Sequence, residues 1–247
     1  MILRRVTAHV KSQNWFAVAL DLLIVIVGVF IAIEVANWNE ARHERNEERR
    51  YYSQLLVDLK DDLDSLSGAA RRARLHDEAA EQVLAKLRGK PPPGISPVRL
   101  AKAIHYAGFI YLPKPARGTY DELISTGNLG LLRDQQIKSH IADYYGEFDD
   151  NRQWDVLLHG QQSDYWSETA GILPRSLLRA VFRGTEPILS MNDEREIWAS
   201  AESRPRLPDL LVGMAAHQER VRRDSELLTA RASELIAEIE RHLAEGR

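Results

Sequence analysis

The 247 residues include no cysteine. This absence excludes thiol nucleophiles, disulfide bonds, iron–sulfur clusters and cysteine-ligated zinc sites. It fits the cytoplasm and the periplasm equally, because a chain of this length can build a hydrophobic core without disulfides. The compartment therefore has to be inferred from membrane topology.

An excess of basic residues is also missing. The 33 Lys and Arg residues against 36 Asp and Glu residues give a formal net charge of −3. A nucleic-acid-binding domain normally carries an excess of Lys and Arg that neutralises phosphates. We therefore expect no nucleic-acid partner. The 28% of charged and 44% of apolar residues are typical of a folded globular protein rather than a disordered one.

The common catalytic motifs are absent as well. The sequence contains no Gly-x-Ser-x-Gly, P-loop, Gly-x-Gly-x-x-Gly, His-Glu-x-x-His or EF-hand pattern. One Glu-x-x-His pair, Glu40 and His43, is present, but a di-iron bundle needs two such pairs and two further glutamates. We therefore expect no catalytic residue, no cofactor and no metal site.

What the sequence does contain is one long apolar run, residues 16–36. As an α-helix this run would be about 31 Å long, which matches the hydrocarbon layer of a bilayer. Trp15 and Trp38 bracket it at the depth that indole rings prefer. A cleaved signal peptide would have a shorter apolar region and a small-residue cleavage site. The run is therefore predicted to be an uncleaved transmembrane helix.

Two acidic residues interrupt this run. Glu34 is within a turn of its end and can reach the interface, whereas an isolated charge at Asp21, deeper inside, costs about 3 kcal/mol. Asp21 either reaches the headgroups, is protonated, or faces a partner helix. It shares a helical face with Gly28 and Ala32, whose spacing lets helix backbones approach closely in lipid. Self-association through this face is one expectation for the span.

The flanking residues suggest an orientation. Residues 1–15 form a short basic tail, predicted to be interfacial; its basic residues are Arg4, Arg5 and Lys11. Residues 37–50 carry four arginines and four glutamates and are predicted to be a charged stalk. Because a short tail with paired arginines is hard to translocate, we expect a cytoplasmic N-terminus. The soluble helical domain, residues 51–247, would then be periplasmic at the bacterial inner membrane.

Heptad-like spacing predicts two long helices in this domain. In both, apolar residues alternate spacings of four and three, as in a coiled coil. The first seam is Tyr52, Leu56, Leu59, Leu63, Leu66, Ala70 and Ala73. The second seam is Leu207, Leu211, Met214, Gln218, Val221, Ser225, Leu228, Ala232, Leu235, Ile239 and His242. We expect the seams to pack against each other, since an exposed apolar stripe of this size is unfavourable.

Turn and capping residues divide the rest of the domain. Prolines 91–93 end the first long helix, and Ser96-Pro97 begins a short one. Thr119 and Glu122 are predicted to form a capping box. Asp134 is predicted to cap a long helix that continues to residue 168. Further short helices are expected at 174–182 and 191–201.

These elements predict an all-α fold, in which one N-terminal transmembrane helix continues into a bundle of three long helices with short capping helices. The long helices are expected at 39–88, 134–168 and 207–242, in an up-down-up arrangement. Residues 97–127 would cap the end far from the membrane, and residues 171–206 would turn near it. The C-terminus would lie far from the membrane.

Three side-chain clusters each have a chemical and a structural interpretation. Asp155 and His159 share a helical face and suit half a metal site, but a simple surface pair is commoner. A second cluster suits a cation, although a solvated face opposite the seam is more typical: Asp58, Asp61, Asp62 and Asp64. A third suits a pocket wall, although core packing is the better interpretation: Tyr144, Tyr145, Phe148, Trp154, Tyr165 and Trp166.

Two stretches resemble a known group of proteins. One is residues 25–32 leading into Asn-Trp-Asn-Glu at 37–40, and the other is Thr-Tyr-Asp-Glu-Leu-Ile-Ser-Thr-Gly-Asn-Leu at 119–129. Together they resemble a bacterial family of uncharacterised single-span membrane proteins, a domain of unknown function. The resemblance implies a membrane anchor and no established activity. The candidate functional surface is Asn37, Asn39, Glu40, Thr119, Tyr120, Glu122, Asn128 and Arg133.

The sequence favours a membrane-anchored helical interaction or scaffold module of the bacterial cell envelope, not an enzyme. Its expected partners are the lipid bilayer, a second copy through the span, and an unidentified protein. The alternative is an extracytoplasmic ligand sensor, which would signal through a separate partner because the short tail cannot form an output domain. An enzyme with an unrecognised site is the third hypothesis, and no motif supports it.

Overall fold

The computed structural model describes residues 15–152, 154–185 and 188–245, and in these ranges it contains helices and no β-strand. The helices are α1 (Trp15–Leu87), α2 (Pro97–Tyr106), α3 (Gly118–Ser125), a 3-10 turn (Asn128–Leu131), α4 (Gln135–Arg152), α5 (Asp155–Thr169), α6 (Arg175–Arg183), α7 (Met191–Glu202) and α8 (Leu207–Glu245). The all-α prediction is confirmed. The predicted interfacial tail lies almost wholly outside the described residues.

The chain divides into two compact units, residues 1–51 and residues 52–247. In the first unit the described side chains from residue 19 to residue 40 are all exposed. The predicted helix over 16–36 is confirmed as a helix, and it is long and apolar enough to cross a membrane. Asp21, Ala32 and Glu34 are exposed within it, and the space beside Gly28 is open. Exposure of such an apolar surface is expected of a segment whose natural surroundings are not water.

The second unit is a bundle of three long columns. The first column is the part of α1 from residue 52 onward, the second is α4 followed by α5, and the third is α8. Lys60 of α1 forms an ion pair with Glu240 near the end of α8, at 3.1 Å. His140 of α4 lies 2.8 Å from Glu238 of α8. The column of α8 therefore runs antiparallel to the other two.

The hydrophobic core is largest at the Leu87 end of α1. There, side chains of six helices meet in one cluster: Val83 and Leu84 from α1, Ile104 from α2, Tyr165 from α5, Leu177 from α6, Trp198 from α7, and Leu207, Leu211 and Met214 from α8. The opposite end of the bundle is marked by Tyr52, whose ring lies 5.0 Å from that of His242. These two ends are called the Leu87 end and the Tyr52 end below.

The predicted up-down-up arrangement is wrong. The helices α6 and α7 pack at the Leu87 end together with α2, and α8 finishes beside Tyr52. The reason is the connection between α2 and α3, residues 107–117, which forms no helix. Eleven extended residues can span about 36 Å. That is enough to run back along α1, so α4 starts again at the Tyr52 end and α3 does not cap the far end.

The prediction of one continuous helix over residues 134–168 is also wrong, because the structure has two helices there. α4 ends at Arg152 and α5 begins at Asp155, with Trp154 between them. No proline causes this break. The run Asp149-Asp150-Asn151 consists of residues that favour helix ends over helix interiors, which explains why the helix is weak at this point.

The first predicted seam lies in α1 and the second in α8, and they are called the α1 seam and the α8 seam below. The structure agrees with the second prediction better than with the first. In α8, the ten predicted residues from Leu207 to Ile239 are the buried ones, whereas the eleventh, His242, is only partly buried. In α1 the buried register differs at three positions, since Leu55, Asp62 and Ala69 are buried in place of Leu56, Leu63 and Ala70, which are only partly buried. A carboxylic acid therefore occupies a core position, and the solvated-face interpretation of the acidic cluster is wrong for Asp62.

Candidate functional site

The connection between α2 and α3, residues 107–117, is called the tethered segment. It passes between α1, α5 and α8 without regular secondary structure. A buried backbone outside helices and sheets must find other partners for its N–H and C=O groups. Here side chains from four helices of the bundle supply those partners.

At the start of the tethered segment, three backbone carbonyls accept hydrogen bonds from side chains. The carbonyl of Tyr106, the last residue of α2, lies 2.6 Å from His76 Nδ1. Gln162 Nε2 of α5 donates to the Gly108 carbonyl at 2.9 Å, and Gln218 Nε2 of α8 donates to the Phe109 carbonyl at 2.6 Å. Each of the three columns therefore holds this stretch of chain.

Gly108 is required by close packing rather than by its backbone angle. A Cβ at this position would lie 2.7 Å from the Trp166 ring and 2.8 Å from the Tyr165 ring. Both rings belong to α5, so a larger residue would push the tethered segment away from that helix.

At the other end of the tethered segment, two aspartates of α1 receive backbone N–H groups. Asp62 accepts from the Ala116 N–H at 2.6 Å, and Asp58, one turn earlier, accepts from the Thr119 N–H at 3.0 Å. The hydroxyl of Tyr145 donates to the Ala116 carbonyl at 3.0 Å. The first turn of α3 is thus fixed to α1 by carboxylates.

Asp62 is fully buried and also accepts a hydrogen bond from the Tyr144 hydroxyl at 2.9 Å. Burial raises the pKa of Asp62 to about 6, although the bonds from Ala116 and Tyr144 work in the opposite direction. Burial and the neighbouring Asp62 also raise the pKa values of Tyr144 and Tyr145. The group is therefore a buried proton-binding site beside two neutral phenols.

Two buried histidines lie near the start of the tethered segment. The ring of His105 is 4.9 Å from that of Phe109 and 5.1 Å from that of Trp166. Burial lowers the pKa of His105 and of His76. Both imidazoles are therefore held in aromatic surroundings that disfavour their charged forms.

The structure brings two of the predicted surface residues to this site. Thr119 is buried next to Asp58, and the Tyr120 ring stacks on that of Tyr145 at 4.7 Å. The predicted capping box is wrong: α3 begins at Gly118, and Thr119 lies inside its first turn. The carboxylate of Asp58 takes the role that was assigned to the Thr119 hydroxyl, because it accepts the N–H group of that turn.

The other predicted surface residues lie elsewhere. Glu122 and Arg133 are exposed, and Asn128 begins the 3-10 turn after Gly127, whose φ of 73° suits glycine. Asn37, Asn39 and Glu40 are exposed on α1 in the unit that ends at Tyr51. Asp134 caps α4 as predicted, since its carboxylate accepts from the N–H groups of Gln136 and Ile137.

The remaining chemical candidates do not form a metal site. Among the described residues, no group of three or more His, Asp or Glu side chains is placed to hold a metal ion. His159 Nδ1 contacts the backbone carbonyl of Asp155 at 2.5 Å, so it does not orient the carboxylate. Of the aromatic group, Tyr144, Tyr145, Phe148 and Tyr165 are core residues, as the structural interpretation predicted. That interpretation is wrong for Trp154, which is 41% exposed.

Sequence reasoning missed most of the side chains that hold the tethered segment. Asp58 and Asp62 belong to the cluster that was predicted to form a solvated face. His76, Gln162 and Ser65, whose hydroxyl lies 3.3 Å from the backbone N and O of Lys114, belong to no predicted site. Gln218 was placed in the α8 seam without a role. The sequence did contain one indication of this site. Asp62 and His76 follow the same alternating spacing as Tyr52, Leu59 and Leu66, and a polar group at such a buried position is unfavourable unless it has a partner.

The family assignment agrees with this geometry. Neither the curated proteins nor the solved structures include a match to the chain. The model of one family matches residues 21–165, which covers the apolar run from residue 21 onward, Asp62, the whole tethered segment and the two α4 tyrosines. The predicted resemblance to an uncharacterised family is thereby confirmed, and the chain belongs to the family of unknown function DUF6090.

Proposed function

We propose that the chain is a membrane-anchored helical interaction module of the bacterial cell envelope. One observation carries this proposal: a single helix, α1, contains the apolar run, the charged residues 37–50 and the α1 seam without a break. An apolar helix long enough to cross a bilayer, in the same chain as a packed bundle, would hold the bundle at the membrane. The sequence boundaries that we propose are 1–15 for the tail, 16–36 for the span, 37–50 for the stalk, with the soluble domain after them.

Aromatic and charged residues support the anchoring. The Arg42 guanidinium lies 5.7 Å from the centre of the Trp38 ring, at the polar end of the apolar run. Trp and Arg together favour the headgroup region of a bilayer. We propose an N-terminus in the cytoplasm and the bundle in the periplasm at the inner membrane, because the short tail is basic.

The absence of native cysteine allows a direct test of topology. Ser139→Cys lies on an exposed position of α4, and Ser12→Cys lies in the basic tail. In intact spheroplasts, a membrane-impermeant maleimide should label Ser139→Cys, whereas Ser12→Cys should be labelled only after lysis. The reverse pattern would overturn the orientation. A labelled bundle in the soluble fraction, with the tail removed, would identify the run as a cleaved signal sequence.

We further propose that the span self-associates through the face of Gly28 and Ala32. The space beside Gly28 is open, so a second backbone can approach there. Gly28→Leu should weaken the dimer signal in a membrane two-hybrid assay. Val27→Leu, on a different face, is the matched control. Equal signals from the two variants would argue against this interface.

A further inference from the structure

A cavity of about 680 Å³ lies where the tethered segment passes between the α4–α5 break and α8. Its size is within the range of small-molecule sites, which are about 300–1,000 Å³. Trp154 and Asp155, which lie where α5 begins, are part of its lining. The cavity lies wholly within the bundle.

The walls of the cavity are mostly apolar and partly aromatic. The tethered segment contributes Tyr111 and Leu112, the second column Phe148, Trp154 and Leu158, and α8 Leu228. Three aromatic rings from different parts of the chain make this a surface on which a planar ligand ring can stack.

Ser225 of α8 belongs to the lining but is only 1% exposed. No atom of the described residues forms a hydrogen bond with its Oγ, which is itself buried. The hydroxyl group therefore lies behind the wall of the cavity, and the wall on this side is apolar in character.

The cavity lining carries three cationic side chains, Lys114, Arg117 and Arg220, and the two carboxylates Asp155 and Asp224. Arg117 forms ion pairs with Asp121 at 2.9 Å and with Asp149 at 2.7 Å. Arg220 is held by Asp224 at 3.3 Å, and its guanidinium lies 4.2 Å from the centre of the Trp154 ring.

Lys114 differs from these arginines. Its side chain is exposed at the cavity, and its ammonium group has no hydrogen bond or ion pair with any described residue. It is therefore available to a ligand carboxylate, and its charge is not already compensated by the protein.

We propose that this cavity binds a small aromatic carboxylate. The ligand ring packs against the aromatic and apolar walls. The Lys114 ammonium group receives the carboxylate. This site goes beyond the anchoring proposed above and does not depend on it. Binding would bridge the tethered segment, α5 and α8, so the ligand would stabilise the folded bundle.

Calorimetric titration of the full chain in lipid nanodiscs tests the proposal, with 1-naphthylacetate as the probe and empty nanodiscs as the blank. The matched probe is 1-naphthylmethylamine, which keeps the ring system and reverses the charge. We expect saturable binding of the acid with a one-to-one stoichiometry, and an affinity at least about tenfold above that of the amine. Equal affinity for the two probes, or no saturable binding of the acid, would overturn the proposal.

Variants then locate the binding. Lys114→Glu should weaken binding of 1-naphthylacetate about tenfold, whereas Lys90→Glu, an exposed lysine in the turn after α1, should leave it unchanged. Tyr111→Ala, which removes an aromatic ring of the lining that is 44% exposed, should also weaken binding of 1-naphthylacetate. If Lys114→Glu binds like Lys90→Glu, or if Tyr111→Ala binds like the wild type, the site is not this cavity. These results are separate from the labelling test of membrane topology.

Discussion

The α1 seam and the α8 seam belong to the same bundle and have the same heptad spacing, but they have different chemistry. The α8 seam is apolar at eight of its ten buried positions, and its polar members, Gln218 and Ser225, are uncharged. The buried register of α1 includes a carboxylic acid, Asp62, and an imidazole, His76. Both of these side chains point at the tethered segment or at the residue that precedes it.

The difference shows that the two helices have separate tasks. The α8 seam excludes water from the core, whereas the α1 seam also holds a buried connection whose backbone needs partners. A seam made only of leucines would leave the Ala116 N–H and the Tyr144 hydroxyl without acceptors. Polar residues at core positions therefore determine where the tethered segment lies.

The largest effect should come from charging the apolar seam. Leu211→Asp should lower the free energy of unfolding by about 5 kcal/mol, because Leu211 is fully buried in the main core cluster. Val212→Asp is the matched control, since Val212 is the next residue and is 48% exposed. Its cost should be below about 1 kcal/mol. Urea denaturation of the full chain in detergent, followed by circular dichroism, measures both. Equal losses would mean that the α8 seam is not core.

A smaller loss of stability should follow from removing the carboxyl group of Asp62 in the α1 seam. Asp62→Ala leaves two buried donors without an acceptor and should cost about 3 kcal/mol, part of which is offset by the lost desolvation of the carboxylate. Asp61→Ala, one residue earlier and exposed, should change the free energy of unfolding by less than about 0.5 kcal/mol. The same denaturation assay applies. A stable Asp62→Ala variant would contradict the role of Asp62 as an anchor.

The smallest of the three effects concerns pH. Because the pKa of Asp62 in the folded chain is raised to about 6, its contribution to stability is present below its unfolded pKa and is lost as the pH rises through about 6. Asp62→Asn has the same shape and does not titrate. Its stability relative to the wild type should therefore increase by about 2 kcal/mol between pH 4 and pH 7.

The difference between wild type and Asp62→Asn is the quantity to measure. Burial lowers the pKa values of His76, His105 and His217. Their contributions to the free energy of unfolding are therefore lost as the pH falls below about 6.5, whereas that of Asp62 is lost as the pH rises. These histidines are present in both proteins, and their effects cancel in the difference. A difference that does not change with pH would show that Asp62 titrates normally.

The two seams also show what the sequence can predict. The α8 seam was predicted residue by residue, because a helical period is local and its apolar residues fit a single register. In α1 the predicted seam and the buried seam have Tyr52, Leu59, Leu66 and Ala73 in common. They differ in between, and the apolar Leu63 made the wrong seam look better than the one that contains Asp62. The residues that make Asp62 acceptable in the core, Ala116 and Tyr144, are 54 and 82 positions away. No local pattern contains that information.

The same reason explains the errors elsewhere. The end of α1, the Ser96 cap and the Asp134 cap depend on residues within one turn, and they were predicted. The N-terminus of α3 depends on Asp58, 61 residues before Thr119, and its cap was assigned wrongly. The course of residues 107–117 depends on Gln162 and Gln218, which follow much later in the chain. The predicted order of the columns failed because it depended on that course.

The long separations have a consequence for synthesis. Gln218 lies 109 residues beyond Phe109, and Glu240 lies 180 residues beyond Lys60. The ribosome therefore releases α1 and the tethered segment long before the helix that completes their surroundings. Closing such loops is slow compared with forming a helix, and apolar surface stays accessible to chaperones in the interval. Nascent chains stopped before residue 207 should thus remain protease-sensitive after residue 52, with protection arising only when α8 emerges.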